Sequence, residues 1–457
     1  MSDGNFVNGQ SYEPLRRLLS DSKIQELQAQ IRVNNNIDDT KWDEHTIKLK
    51  DLEQSSWQPK LLIAIDGDYS KSIIQNGYPG AEIGYITVST VVILLDKVRE
   101  LEKEQFIDPK KFRETEQPTS IDSLFVGCNV VLKGEDSAKS SMRKILYDEL
   151  KKFQVFGNTE TLLDTYEYLL KGRLSSGRTS ECPHDGCKAD YEFNFGEYKC
   201  KSCQGKLYST DALRLHELLN SSGTSGEMYG QIKETFKKLQ LIHLLRSFEQ
   251  QPKYFSLLRD IAFFIEGTLA VFSTASWLAK PIRTELERLN AKVNEEFGSN
   301  LIVIGIERTG SFVNHFSNID TMLNGADNNF PKQSAFLLTN KYIKEHIVFN
   351  EKPNYIYLED TSFGRKILYK TNAGHRVVAS IATYNNFQSN IETAFPAQFP
   401  RLIDILQLLD KLVSNRYENS VTPLATAHAE AAIPLNLGKS IFDKIAREIK
   451  ANSMNND

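Results

Sequence analysis

Apolar strand-like runs alternate with helical periodicity along this chain. The β-branched segment 81–96 predicts a strand, and the spacing of apolar residues over 227–250 predicts a long helix. Three further apolar runs are typical of buried strands and lie at residues 61–70, 261–272 and 301–310. Strands that alternate with helices predict an α/β fold in which helices flank a central sheet.

The same pattern divides the chain into four segments. We expect an N-terminal helical segment over 1–58, in which Leu15, Leu18, Leu19 and Ile24 recur at roughly helical spacing. The α/β core begins at 59–96 and resumes at 227–457, which also carries C-terminal helices. Residues 97–226 are predicted to be an insertion with helices and a cysteine cluster, and its charged start, 97–120, a surface excursion.

Composition excludes several classes of protein. The 457 residues include 40% hydrophobic and 25% charged residues, as in ordinary globular proteins, and the formal net charge is −4. This balance excludes a global basic field that would hold nucleic acid by itself. The polar N-terminus lacks the apolar core of a signal peptide, and the apolar runs are shorter than a membrane span. We therefore expect a soluble, cytoplasmic protein.

Four of the five cysteines form a cluster with metal-ligand spacing. Cys182 and Cys187 enclose four residues, Cys200 and Cys203 enclose two, and twelve residues separate the pairs. Two knuckles that present four thiolates can hold Zn²⁺ in a closed tetrahedral site, which is structural because no coordination position stays open. His184 is interpreted as a knuckle residue. The predicted module is a zinc ribbon over 182–203.

Two predicted strands carry an acid followed by glycine. Asp66 follows "LLIAI" and precedes Gly67, and Glu266 follows "AFFI" and precedes Gly267. Acids on neighbouring strands can hold a divalent cation of the magnesium or manganese class. Such ions support phosphodiester hydrolysis. For either acid alone, a turn residue at a strand end is the competing interpretation.

Two more residues are candidates for the same site. Glu249 ends the long predicted helix, from which the chain leads back into the strand that carries Glu266; a solvated surface glutamate is the alternative. His428 lies in "PLATAHAEAAIP", among small apolar residues. It can bind metal or transfer protons, or it can be a buried structural histidine.

At these positions the chain resembles the NurA family of DNA-repair nucleases. The similar segments are "IAIDGDYS", "FFIEGTLAVF", "VIGIERTGSF" and "ATAHAEAAIP". The resemblance implies an RNase H-like core and makes Asp66, Glu249, Glu266 and His428 the catalytic and metal-binding residues, with Mn²⁺ or Mg²⁺ as cofactor. Two departures from the family pattern leave the geometry and the metal preference open: Glu266 stands where Asp is usual, and Asp68 stands where Ser is usual.

The resemblance also implies partners and a pathway. It predicts a homodimeric deoxyribonuclease that works on DNA with a HerA-like hexameric ATPase, in the processing of DNA ends for repair or in defence against phage. The chain has no phosphate-binding loop of the G-x-x-x-x-G-K-[ST] type, so ATP use falls to the partner. The alternative is a catalytically inactive RNase H-like subunit that binds DNA or scaffolds an ATPase complex.

Overall fold

The computed structural model describes most of the chain. The described residues are 21–30, 45–75, 80–101, 114–155, 159–321, 330–348, 357, 360–384, 392–413, 420–432, 444–445 and 447–450. Residues 1–41 form a unit of their own, which contains one described helix, α1 (Ser22–Gln30). Ile24 lies in this helix, whereas Leu15, Leu18 and Leu19 lie outside the described residues.

Thirteen strands are described in the second unit, residues 42–457. They are β1 (Thr46–Lys48), β2 (Leu61–Gln75), β3 (Ala81–Leu94), β4 (Glu116–Val126), β5 (Thr179–Glu181), β6 (Asp190–Glu192), β7 (Glu197–Lys199), β8 (Lys206–Tyr208), β9 (Ile261–Glu266), β10 (Ile302–Glu307), β11 (Ser334–Leu337), β12 (Gly364–Lys370) and β13 (Arg376–Ala382).

Nine of these strands form one mixed sheet. Its order is β4-β3-β2-β9-β10-β13-β12-β11-β1. The strands β2, β3 and β4 run antiparallel as a meander, and β9 and β10 continue the sheet parallel to β2. An antiparallel three-strand meander followed by two parallel strands is the arrangement of the RNase H-like core. The predicted fold class is confirmed.

Helices cover both faces of this sheet. Those described in the second unit are α2 (Leu95–Leu101), α3 (Ala138–Lys152), α4 (Leu162–Leu174), α5 (Gly226–Gln250), α6 (Pro252–Phe255), α7 (Ala279–Phe297), α8 (Ser311–Thr321), α9 (Asn340–His346), α10 (Leu402–Leu412) and α11 (Thr422–Ala431). Ser137 and Thr161 begin α3 and α4 as capping boxes, because each side chain accepts a hydrogen bond from a backbone N–H of the first turn.

The two faces of the sheet belong to separate hydrophobic cores. Ile63 and Ile65 of β2 pack in one core with residues of α5 and α7. Leu62 and Ala64 pack in the other core, with residues of α10 and α11. This alternation is the period of two of a β-strand. Because Asp66 continues the series of Leu62 and Ala64, it lies on the face of the sheet that α11 covers.

The segment 97–226 contributes to the core sheet as well as to the insertion. Residues 116–126, part of which we expected to be a surface excursion, form the edge strand β4, paired with β3. The helices α3 and α4 and the four short strands β5 to β8 follow it. None of the described helices is long and apolar enough to cross a membrane.

Candidate active site

Asp66 and Glu266 lie at the same level of the sheet. The strands β2 and β9 are parallel neighbours, and their register pairs Ile65 with Ile265, the residues directly before the two acids. Glu266 ends β9 as expected. Asp66 does not end its strand: it lies inside β2, pairs with Ser89 of β3 and is fully buried. The interpretation of Asp66 as a turn residue is therefore wrong.

The glycine after each acid is required by its local structure, in a different way at each position. A Cβ on Gly67 would lie 3.0 Å from Cγ of Lys233 on α5 and 3.0 Å from the carbonyl oxygen of Thr87. Gly267 has φ +89°, a left-handed conformation that glycine adopts without strain. Gly67 thus lets α5 cross close to β2, and Gly267 turns the chain out of β9.

His428 joins Asp66 from the far end of the sequence. Its Nδ1 lies 3.0 Å from Oδ2 of Asp66, because α11 packs on the face of β2 that Asp66 occupies. The other oxygen of Asp66 accepts a 2.6 Å hydrogen bond from the backbone N–H of Gly67. Asp66, Glu266 and His428 are therefore three predicted residues that the fold brings to one place.

Arg308 lies between these three side chains. It follows β10, and its Nη2 is 3.8 Å from Oδ2 of Asp66, 3.9 Å from Oε1 of Glu266 and 3.4 Å from Nδ1 of His428. The arginine side chain is 23% exposed. A positively charged atom thus stands at the point on which two carboxylates and an imidazole converge.

Glu249 does not reach this site. It lies near the end of α5, where it pairs with Arg288 at 2.6 Å and Lys292 at 3.2 Å, both on α7. The helix leads back to the start of β9, whereas Glu266 is the last residue of that strand. A strand of six residues spans roughly 17 Å, so the end of the helix is at the wrong end of β9.

Glu234, which sequence reasoning missed, occupies the position that we assigned to Glu249. It lies 15 residues earlier in α5, roughly 22 Å along the helix axis at 1.5 Å per residue. Oε1 of Glu234 is 2.8 Å from Nζ of Lys237, which also contacts Oε2 of Glu266. The available signal was the run "KETFKK", which places four charged residues close together in the middle of the helix.

Burial and charge oppose each other in this cluster. Burial disfavours the charge of Lys237, but the carboxylates of Glu234 and Glu266 outweigh burial and raise the lysine pKa above its usual value. Burial also disfavours the charge of Glu234, yet Lys237 and its neighbours lower the pKa of Glu234 to about 2. Against burial, Lys237 likewise lowers the pKa of Glu266. Burial lowers the pKa of Lys238 to about 8.

The cysteine cluster forms a separate site. Cys182 and Cys187 lie in the turn of the β5–β6 hairpin, and Cys200 and Cys203 lie in the turn of the β7–β8 hairpin. Their sulfur atoms all lie within 4.8 Å of one another. Backbone N–H groups of Cys203 and Ser202 lower the pKa of the Cys200 thiol to about 7, which favours the thiolate. The geometry fits the predicted zinc ribbon, which consists of two hairpins.

The imidazole of His184 packs against this sulfur cluster. Its Nδ1 lies 3.2 Å from Sγ of Cys182. A Cβ on Gly205 would lie only 2.6 Å from the His184 ring, so glycine is required beside it. Among the described residues, this cysteine group is the one whose candidate metal ligands all come within 4.8 Å of each other. The oxygen donors around Asp66 are more widely spaced.

Comparison with known proteins gives one family match. A family described as the NurA domain matches residues 60–433, a span that begins at the start of β2 and ends just beyond α11. A search of curated proteins finds no match.

Two solved structures match this chain over most of its length, with low sequence identity and low TM-scores. The crystal structure of the NurA nuclease from Sulfolobus solfataricus is 13% identical, with 97% of this chain and 98% of that chain covered and a TM-score of 0.32. A second structure, described as a crystal structure of NurA, is 9% identical, with 94% and 95% covered and a TM-score of 0.23.

Proposed function

Because the chain belongs to the NurA family, we propose that it is a metal-dependent deoxyribonuclease that hydrolyses phosphodiester bonds. The observation that carries this proposal is the convergence of Asp66, Glu266 and His428. They come from β2, β9 and α11, which are far apart in sequence, and all three lie within 4 Å of one cationic atom of Arg308. Acids and bases that converge in this way from distant parts of the sequence are typical of functional sites.

The donors at this point fit a divalent cation. Carboxylate oxygens suit Mg²⁺ and Mn²⁺, and an imidazole nitrogen is acceptable to Mn²⁺. Asp66, Glu266 and His428 would hold the ion, in the place that Nη2 of Arg308 takes in this structure. When bound, such an ion polarises the phosphoryl group and activates water.

The protein side chains contribute orientation and charge. In this structure Oδ2 of Asp66 contacts Nδ1 of His428 and holds the imidazole beside the point where the ion would bind; the same Nδ1 would be the ligand atom, because it also faces Nη2 of Arg308. Arg308 is partly exposed, and its planar guanidinium matches the oxygens of a phosphate group. We assign Arg308 to binding the phosphate of the DNA backbone next to the scissile bond.

The test is a matched pair of substitutions on one strand. Asp66→Asn keeps the shape of the side chain but removes the charge that holds the cation, so it should abolish cleavage of DNA in Mn²⁺. Asp68→Asn is the control, because Asp68 is half-buried and accepts a hydrogen bond from the backbone N–H of Tyr69. Cleavage by Asp66→Asn at the rate of Asp68→Asn would exclude Asp66 as a ligand.

We further propose that the protein acts as a homodimer with a HerA-like hexameric ATPase that delivers DNA, in repair or in defence against phage. Support comes from the family and from the net charge of −4, which gathers few phosphates by counterion release. A motor that feeds DNA raises the effective concentration of DNA at the site.

The test is to compare cleavage at moderate salt with and without the motor. Cleavage should rise with motor and ATP but not with a motor that is unable to hydrolyse ATP. Equal cleavage by the nuclease alone would contradict delivery.

The second candidate function is a catalytically inactive subunit that binds DNA or scaffolds the ATPase complex. The observation that favours it is the pairing of Glu266 with Lys237 and its proximity to Arg308, because both cations compete with a metal ion. The two functions differ in one measurement. An inactive subunit shows the same background cleavage for wild type and Asp66→Asn at every Mn²⁺ and Mg²⁺ concentration.

A further inference from the structure

Two points in the site are each surrounded by atoms that can bind a metal ion, and a protein cation stands at each. At the first, Nη2 of Arg308 lies between Asp66, Glu266 and His428. At the second, Nζ of Lys237 lies between the carboxylates of Glu266 and Glu234. Glu266 is shared: Oε1 faces Arg308 and Oε2 faces Lys237. This is the layout of a two-cation site in which a carboxylate bridges the two positions.

The two protein cations are held very differently. The contacts of Arg308 are 3.4–3.9 Å long, beyond ordinary hydrogen-bond distances, and its side chain is 23% exposed. Lys237 is 0% exposed. Its Nζ donates to the Glu266 carbonyl oxygen at 3.0 Å, lies 2.8 Å from Glu234 and also contacts Oε2 of Glu266. Arg308 can therefore move aside for an incoming ion, whereas Lys237 cannot leave without breaking short contacts with both Glu234 and Glu266.

We propose that Lys237 is a built-in cation at the second position, so that the site binds one divalent ion, at Asp66, Glu266 and His428. This inference rests on the metal dependence proposed above. Lys237 holds Oε2 of Glu266 and leaves Oε1 for the ion, and Glu234 acts through Lys237. Both are positioning residues.

The neighbouring lysines favour the same assignment. Nζ of Lys233 lies 3.3 Å from Oε1 of Glu234, and Nζ of Lys238 lies 3.8 Å from Oε2 of the same residue. Lys238 is 2% exposed. In wild type, a second divalent ion beside Glu234 would meet these two lysines together with Lys237, and like charges at such short range repel. Lys237 is the nearest of the three, at 2.8 Å, and it alone also contacts Oε2 of Glu266 among the contacts described.

The experiment counts bound Mn²⁺ on the full-length chain with its cysteine site filled by zinc. Free Mn²⁺ is measured by electron paramagnetic resonance during titration without DNA, so the readout is independent of cleavage. Wild type should bind one Mn²⁺ per chain. Lys237→Met, which removes the charge and frees two carboxylates, should bind two. Lys237→Arg keeps the charge and should bind one, as should the control Lys233→Met, because Lys233 contacts Glu234 but not Glu266 among the contacts described.

Each other outcome overturns a defined statement. Two ions in wild type, or one ion in a folded Lys237→Met, overturns the assignment of Lys237 while the nuclease proposal stands. No bound ion in wild type overturns the metal dependence and this inference with it. If Lys237→Met does not fold, the wild-type count alone can still overturn the assignment, since a two-ion wild type is incompatible with a lysine in the second position.

Discussion

Glu234 and Glu249 lie on the same helix. Replacing each in turn with glutamine distinguishes the acid that belongs to the candidate active site from the acid that belongs to a separate ion-pair network. The two acids have the same chemistry and lie 15 residues apart in α5. Glu234 contacts the buried Lys237, whereas Glu249 contacts Arg288 and Lys292 on α7. Only Glu234→Gln should therefore affect the arrangement of Glu266.

The expected magnitudes follow from exposure. Arg288 and Lys292 are 41% and 42% exposed, so Glu249→Gln should lower the free energy of unfolding by only about 0.5 kcal/mol. Lys237 is 0% exposed, and removing one partner of a buried pair costs about 3–5 kcal/mol. Glu266 still pairs with Lys237 and Glu234 is 36% exposed, so we expect about 2 kcal/mol for Glu234→Gln.

Activity should separate the variants more clearly than stability. Outer partners of metal ligands typically contribute about 10- to 100-fold, and we expect a loss of this size in kcat/KM for Glu234→Gln. Glu249→Gln should retain the wild-type value. The measurements are urea unfolding followed by fluorescence and cleavage of labelled DNA in Mn²⁺. If Glu249→Gln loses more activity than Glu234→Gln, the position of α5 relative to β9, and with it our site, is wrong.

Two further predictions concern zinc and pH. The chain should contain one zinc ion, which is lost to a chelator or when Cys200 and Cys203 are replaced with serine. Structural zinc contributes on the order of 10 kcal/mol to a small module, so its loss should unfold residues 179–208 and spare the nine-stranded sheet. Native protein that contains no zinc would refute the site. Burial lowers the pKa of His243 to about 4, below its unfolded value of about 6.5. The unfolded chain therefore binds the proton first, and stability present above pH 6.5 falls as the pH drops towards 4, by about 2 kcal/mol at pH 5. His243→Phe should lack this part of the pH dependence in urea unfolding at pH 7 and pH 5, and an unchanged dependence would exclude His243 as its source.

Local patterns in the sequence determined the parts of this protein that depend on neighbouring residues. An apolar run followed by acid and glycine located Asp66 and Glu266, because burial of a strand and the need for a glycine are local properties. The paired cysteines determined the metal module in the same way, since each knuckle is formed by a few consecutive residues. His428 was recognised by a local setting together with the resemblance to NurA.

Tertiary structure decided which of these residues meet. The sequence suggested Glu249 because it is close to Glu266 along the chain, but α5 runs antiparallel to β9 and brings Glu234 to the acid instead. The roles of Lys237 and Arg308 were also hidden, because a charged residue in a sequence is by default a solvated one. Whether a charge is buried and which charge it faces depend on helix direction and strand register, and these are set only when the two cores pack on the faces of the sheet.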